Sequence, residues 1–294
     1  MRTYPFIQLD VFTSQPLQGN QLAVFPDASG LSEAQMQAIA REMNLSETTF
    51  ILPRDAATEA REGTKVRIFT VEEELPFAGH PTLGTAFYLH SSHPQKPARV
   101  TLDLQAGKIP VEFRKGQDGI FGEMRQLDPE FGPTFPREEV AGAIGIPADE
   151  LDDRWPIQAV STGVAFTIVP FRRAQTLANL KFAFHQAADY VERSGAKFLY
   201  FICPQRAAGA LKLKARMIFY NGEDPATGSA AGCCAAWLVR YGLAQSGEQA
   251  LIEQGEQVRR PSKIYVSASG AGDKITDVRV GGHCVEILRG EISF

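Results

Sequence analysis

A repeat constrains this chain more than any other feature. At one constant offset of nearly half the chain length, Arg67 matches Arg216, Glu74 matches Glu223, Pro76 matches Pro225, Gly79 matches Gly228, Ala86 matches Ala235 and Leu89 matches Leu238. The local patterns repeat with the identities. Residues 65–70 alternate polar and apolar as a strand does, 76–81 form a Gly/Pro-rich loop, and 82–89 are a run of small and apolar residues suited to a helix. In the second half, 214–220 read as a strand, 221–227 as a loop, and 228–238 as a helix apolar on every face and therefore buried. Isolated identities arise by chance, but the order of strand, loop and small-residue helix repeats with them, which favours an internal duplication. Two pseudo-equivalent units follow.

A length of 294 residues suits two domains, each large enough to bury a core. The stretch 126–136 is Pro-rich, shows neither helical nor strand period and reads as a linker. The expected halves are 1–125 and 126–294, with the last residues of the chain as a candidate to complete the first. Many short strands and few helices argue for α+β rather than a doubly wound α/β fold. Helices lined by Gly, Ala and Cys suit close wrapping. The expectation is two pseudo-symmetric domains, each a curved, mainly antiparallel sheet around a central helix, with a cleft between them. Within the first half, Ser32 and Gln35 form a capping box, flanked by Leu31 and Met36 as a staple, for a helix reaching about Glu42. Glu47 then stands at the turn into a β-prone run, 48–52, that Pro53 stops.

Composition removes several classes of function. A hydrophobic share of 44% and a charged share of 22% describe a folding chain. A net charge of −4 with no basic run gives nucleic acid nothing to hold. The first twenty or so residues alternate like a strand and lack an apolar core, so the expected location is the cytoplasm. No apolar stretch approaches the roughly 20 residues a spanning helix needs. Cys203, Cys233, Cys234 and Cys284 show no C-x-x-C spacing and read as reduced, buried thiols.

Each repeated loop ends at a helix N-terminus, where unpaired N–H groups and the helix dipole favour an anion such as a substrate carboxylate. A pseudo-twofold axis would set His80 and Thr82 on one wall of the cleft and Asp224, Thr227 and Ser229 on the other. A carboxylate between such termini and beside a histidine makes an acid–base device, and Glu47 is the candidate. Each has a plainer reading. A Glu at a strand entrance is ordinarily solvated, a His beside Pro can simply bond a carbonyl, and Asp or Ser ahead of a helix is a preferred cap. Glu72, Glu73 and Glu74 read as a solvated acidic run, although Glu74 has a repeat partner. His90, His93, His185 and His283 have no ligand spacing, so no metal site is assigned. Phosphate loops, dinucleotide fingerprints, H-E-x-x-H and G-x-S-x-G are all absent from the sequence.

Four ordered segments carry a family resemblance: Gly19-Asn20-Gln21-Leu22-Ala23-Val24-Phe25, Asn44-Leu45-Ser46-Glu47-Thr48, Glu74-Leu75-Pro76-Phe77-Ala78-Gly79-His80-Pro81-Thr82 and Glu223-Asp224-Pro225-Ala226-Thr227-Gly228-Ser229-Ala230. They resemble the signature segments of PhzF-like (phenazine-biosynthesis-like) proteins. Arg260-Pro261-Ser262 and Val280-Gly281-Gly282 extend the likeness over nearly the whole chain. The resemblance implies the two-domain diaminopimelate-epimerase-like fold, a homodimer, a small carboxylate-bearing substrate and an interdomain active site. It also implies a cofactor-free isomerase similar to trans-2,3-dihydro-3-hydroxyanthranilate isomerase. By that likeness Glu47 takes a proton from one substrate carbon and returns it at another. His80, Asp224 and Ser229 hold the carboxylate and neighbouring polar groups, with Ser46, Gly79, Gly228, Thr82 and Thr227 lining the pocket. No cofactor or metal is implied.

Epimerases of this fold place two cysteines in the same two loops. Here those loops read Ala78-Gly79-His80 and Pro225-Ala226-Thr227, and Cys233 and Cys234 lie inside the following helix, which disfavours a two-thiol mechanism. Gln21 stands where many relatives have Pro, and the loop from Phe219 to Asp224 is short for the family, so the substrate stays open. Two alternatives remain: an epimerase or lyase step using the same carboxylate, and a protein that binds a small carboxylate without converting it.

Overall fold

The computed structural model of the chain describes residues 2–116, 118–182, 184–207, 209–220 and 222–294. Its backbone forms two compact units: Met1–Arg125 together with Gly281–Phe294, and Gln126–Val280. The first holds strands β1 (Thr3–Val11), β2 (Asn20–Phe25), β3 (Glu47–Leu52), β4 (Thr64–Phe69), β5 (Glu74–Leu75), β6 (Arg99–Leu104), β7 (Gly107–Gly116) and β8 (Gly119–Arg125). Its helices are α1 (Glu33–Met43), α2 (Ala56–Glu62) and α3 (Gly79–Ser92). The last strand of the chain, β17 (Lys274–Ser293), ends in this unit.

The pairings of this unit close a ring. β1 is antiparallel to both β2 and β17, β2 runs parallel to β3, and β3 is antiparallel to β4. β4 runs parallel to β6, which continues as an antiparallel meander through β7 and β8, and β8 pairs back onto β17. The two parallel pairs need crossovers, supplied by α1 and α3. α3 is the crossover the ring encloses, touching β1, β2, β3, β6, β7 and β8. Only small residues allow so close a fit: a Cβ on Gly84 would lie 2.5 Å from Leu22 Cδ2 and 2.8 Å from Val11 Cγ2. On the other face, α1 lays Met36, Ile39 and Ala40 against Phe25, Phe50 and Phe69. It starts at the expected capping box, with Ser32 accepting from the Gln35 N–H and the Gln35 side chain returning the bond.

The second unit repeats the plan with strands β9 (Glu130–Phe135), β10 (Ile157–Ser161), β11 (Ala165–Pro170), β12 (Phe198–Ala207), β13 (Ala210–Phe219), β14 (Gly222–Asp224), β15 (Ala250–Gln254) and β16 (Ser262–Ala271). Its helices are α4 (Arg137–Ile144), α5 (Ala174–Asn179), α6 (Ala188–Arg193) and α7 (Gly228–Arg240). β10 is antiparallel to β11, β11 parallel to β12, β12 antiparallel to β13, and β13 parallel to β15. The same alternation runs through β1, β2, β3, β4 and β6. The register carries the sequence offset: Ile68 pairs with Leu75 and Phe69 with Glu74, as Met217 pairs with Asp224 and Ile218 with Glu223. α7, buried over almost its whole length, touches β10, β11 and β16, while α4, α5 and α6 pack a second core around Phe171, Leu199 and Phe201.

The structure departs from the sequence reading in several places, among them the expected second loop, part of which forms β14. The stretch expected as a linker forms β9, paired with β10. Pro133 is admitted because the register shifts there: Gly132 and Pro133 together face the single residue Ala159, a bulge in β9 where no ladder donor is needed. Gln126, also placed in the linker, is buried, its amide donating to the Gly228 carbonyl and accepting from the Thr162 hydroxyl. His80 and Pro81 lie inside the first turn of α3 rather than in a loop ahead of it, since Pro lacks only an N–H that a first turn leaves unbonded. Asn221, the first residue of the expected second loop, lies outside the described residues. Among those described, no helix is long and apolar enough to cross a membrane.

Candidate active site

The first unit gathers three of the quoted motifs. Asn20 opens β2, Glu47 opens β3, and His80 is the second residue of α3. The β2–β3 register puts Leu22 beside Glu47, so the Asn20-Gln21 stretch and the carboxylate meet at one end of the barrel. The His80 ring is 4% exposed and Glu47 16%. Nε2 of His80 faces the Gln21 carbonyl at 3.3 Å, and Nδ1 lies 3.2 Å from Asn20 Nδ2 and 3.5 Å from Glu47 Oε2. Although a carboxylate stands at ion-pair range, burial governs the ring: it pushes the His80 pKa down to about 3, with the Gln21 carbonyl pulling weakly the other way. His80 is therefore neutral near pH 7. A carbonyl only accepts, so Nε2 carries the proton, and Nδ1 presents a lone pair to Asn20 and Glu47.

The second unit places Asp224 at the end of β14 and Thr227 at the N-cap of α7. The Thr227 hydroxyl donates to Asp224 Oδ2 at 2.7 Å rather than capping the helix, and Ala78, the N-cap of α3, has no side chain to offer. Neither helix therefore begins with a side-chain cap. The N-cap residue of each helix thus makes no side-chain bond to its own first turn, and helix N-termini are where N–H groups favour an anion. Gln254, at the end of β15, donates through Nε2 to the Asp224 carbonyl at 2.8 Å and to Thr227 Oγ1 at 2.9 Å. Its Oε1 accepts from the Thr227 N–H at 3.3 Å and from the Tyr200 hydroxyl at 3.0 Å.

Each site loop is reached through a stapled hairpin. Arg67 grips Glu74 with two bonds, Nε to Oε1 at 2.7 Å and Nη2 to Oε2. Arg216 grips Glu223 in the same way at 3.0 and 2.7 Å. Arg216 goes further, its Nη1 donating to the carbonyls of Leu177 and Leu180 at 2.9 and 2.8 Å. Glu74 is thus half of a staple and not part of a solvated run.

Among the remaining expected residues, Ser46 is half-buried directly before Glu47, and Ser229 is half-buried at the second position of α7. Gly79 and Gly228 are the buried first residues of α3 and α7. Thr82 is buried, with its hydroxyl donating to the Ala78 carbonyl at 2.6 Å. Asn20 was read as a motif letter without a role, and Gln254 and Tyr200 were not singled out at all. All four thiols are buried. Burial pushes those of Cys203 and Cys233 up to about 11, and Cys234 and Cys284 higher still. Among the described residues, no three His, Cys, Asp or Glu side chains gather closely enough to hold a metal ion.

The profile of the phenazine biosynthesis-like protein family (PhzC-PhzF) matches residues 9–290. The chain belongs to that family. Among curated relatives it is 36% identical over 293 residues to a trans-2,3-dihydro-3-hydroxyanthranilate isomerase of Pseudomonas chlororaphis, covering 98% of each chain. Among solved structures it is similar to a predicted epimerase of Pseudomonas aeruginosa, with a TM-score of 0.83 and 38% identity, covering 98% of this chain and 99% of the other. A hydroxyproline epimerase of Agrobacterium vitis, 12% identical with a TM-score of 0.67 over 99% of this chain and 92% of its own, shares the fold. The expected α+β fold of diaminopimelate-epimerase type is thus the observed one. Kinship along the full length with isomerases makes this PhzC-PhzF family member an enzyme of that class.

Proposed function

We propose that this family member moves a proton within a small, unsaturated, carboxylate-bearing substrate of the trans-2,3-dihydro-3-hydroxyanthranilate type. Glu47 is the proton shuttle, and His80, Asp224 and Ser229 hold the carboxylate and neighbouring polar groups. Ser46, Gly79 and Gly228 line the site, and Thr227 belongs to it through Asp224. One observation carries the reading: Glu47 is largely withdrawn from water and faces the lone pair of a buried, neutral histidine whose tautomer the Gln21 carbonyl sets. The His80 ring, too poor a base to take the proton for itself, lies 3.5 Å from the carboxylate, a looseness usual before substrate closes the site. Side chains alone can perform such a transfer.

A single-carboxylate mechanism is favoured over a two-base epimerisation by the register. Arg67 lies opposite Phe50 and Arg216 opposite Phe201, so the counterpart of Glu47 is Phe198, likewise the first residue of its strand. The position related to Glu47 by the repeat thus holds an apolar ring and not a second carboxylate. The thiols supply none, being buried and held protonated. A homodimer and a cytoplasmic location are part of the same proposal, the homodimer resting on the family likeness.

The test is proton NMR in deuterium oxide with trans-2,3-dihydro-3-hydroxyanthranilate. The wild type is expected to convert it, and Glu47→Gln to lose about 10²-fold or more in turnover while keeping its fold and its affinity for the ligand. Wild-type turnover in Glu47→Gln sinks the assignment. Ligand-dependent thermal stabilisation with no conversion points instead to a binding protein.

A further inference from the structure

We infer that Gln254 is a positioning residue for Asp224, fixing the direction of the hydrogen bonds at that carboxylate through Thr227, with Tyr200 anchoring the amide. This rests on the proposed role of Asp224 at the active site. Gln254 is 1% exposed and Tyr200 fully buried, so none of their polar atoms is free to trade partners with water. The polarity of the chain follows from what each group can do. The Thr227 N–H can only donate, which defines the amide end it meets as Oε1, and the Tyr200 hydroxyl therefore donates to that oxygen as well. The other end is then Nε2, whose two protons meet the Asp224 carbonyl and Thr227 Oγ1. With its lone pair engaged by Gln254, the Thr227 hydroxyl directs its one proton to Asp224 Oδ2. Reversing any link leaves a buried donor facing a donor, or an acceptor facing an acceptor, and such groups are costly in a low-dielectric interior.

The end of β15 grips the site loop a second time. Gly255, at φ +85°, comes so close to Pro225 that a Cβ would lie 2.6 Å from the Pro225 carbonyl oxygen and 2.2 Å from that of Arg260. Side chain and backbone of adjacent residues thus clasp 224–227 from one strand end. The arrangement has no copy in the first unit, where the register puts Leu75 opposite Ile68 as it puts Asp224 opposite Met217. Gln254 therefore serves Asp224, a carboxylate whose register counterpart in the first unit is Leu75.

Two readouts test this, one independent of catalysis. In nitrogen-15 spectra of the full chain, the side-chain amide pair assigned to Gln254 by its loss in Gln254→Glu is expected to be protected from solvent exchange. It should shift in Thr227→Val and return towards its original position in Thr227→Ser. With trans-2,3-dihydro-3-hydroxyanthranilate, Thr227→Val and Gln254→Glu are each expected to lose about 10–10²-fold in kcat with a smaller change in KM, because a small misplacement of an orienting group acts on the transition state. Thr227→Ser should recover most of that loss. An unprotected Gln254 amide overturns the hydrogen-bond chain. Unchanged kcat in Thr227→Val, with turnover lost in Asp224→Asn, overturns the positioning role alone. Full turnover in Asp224→Asn overturns the site reading and this role with it.

Discussion

At the scale of single side chains, His80 connects sequence to chemistry most directly, because its burial and its carbonyl partner together determine where its proton sits. Its folded pKa of about 3 lies below the ordinary 6.5. Between those values the unfolded chain binds a proton that the folded one refuses, so stability is complete above pH 6.5 and falls as pH drops towards 3. The slope from this one group is about 1.4 kcal/mol per pH unit. Urea denaturation from pH 4.5 to 7 should show that slope reduced by this amount in His80→Gln. Asn20→Asp sets a carboxylate 3.2 Å from Nδ1 and is expected to raise the His80 pKa by more than about one unit, read from imidazole NMR titration. The sequence singled out His80 and Glu47 through their motifs. It gave no role to Asn20, since an Asn before a strand is as ordinary in a turn as beside a catalytic ring.

At the scale of elements, the two stapled hairpins differ in depth, and the difference decides what each is worth. Arg216 and Glu223 have side chains 8% and 9% exposed, against 21% and 23% for Arg67 and Glu74. Arg216→Met leaves Glu223 a buried, unpaired charge and frees the Leu177 and Leu180 carbonyls, so it should destabilise the protein by about 3–5 kcal/mol. Glu74→Gln, at the wetter staple, should cost less than about 2 kcal/mol. Chemical denaturation of the two variants checks the order as well as the sizes. Both Arg–Glu matches were visible as a repeat in the sequence, but nothing in a one-dimensional spacing distinguishes a buried pair from a wet one. Gly84→Ala tests the wrapping of α3: the added methyl meets Leu22 and Val11 and is expected to lower stability by about 1–3 kcal/mol through overpacking, despite the better helix propensity of Ala.

At the scale of the whole chain, the first barrel is closed by a strand from the far end of the sequence. β17 pairs with β1 from Thr3–Ser293 to Val11–Cys284. Truncation after Val280 removes this partner and exposes the edges of β1 and β8, so the shortened protein is expected to aggregate or lose cooperative unfolding in calorimetry. A chain cut only before Thr3 loses the two Arg2–Phe294 backbone bonds but keeps the β1–β17 ladder, so it should still unfold cooperatively.

The sequence by itself determined the duplication, the small-residue helices, the α1 cap and the family, all of which depend on local patterns or on identities at fixed spacing. Tertiary structure alone decided the rest. It turned a Pro-rich stretch into β9, because a bulge within β9 at Gly132–Pro133 spares the missing donor. It brought Gln254 and Tyr200 to Asp224 from distant strands, and it kept His80 neutral by withdrawing it from water. Burial and hydrogen-bond partnership depend on chain segments far apart in sequence meeting in space, and no local pattern encodes that meeting.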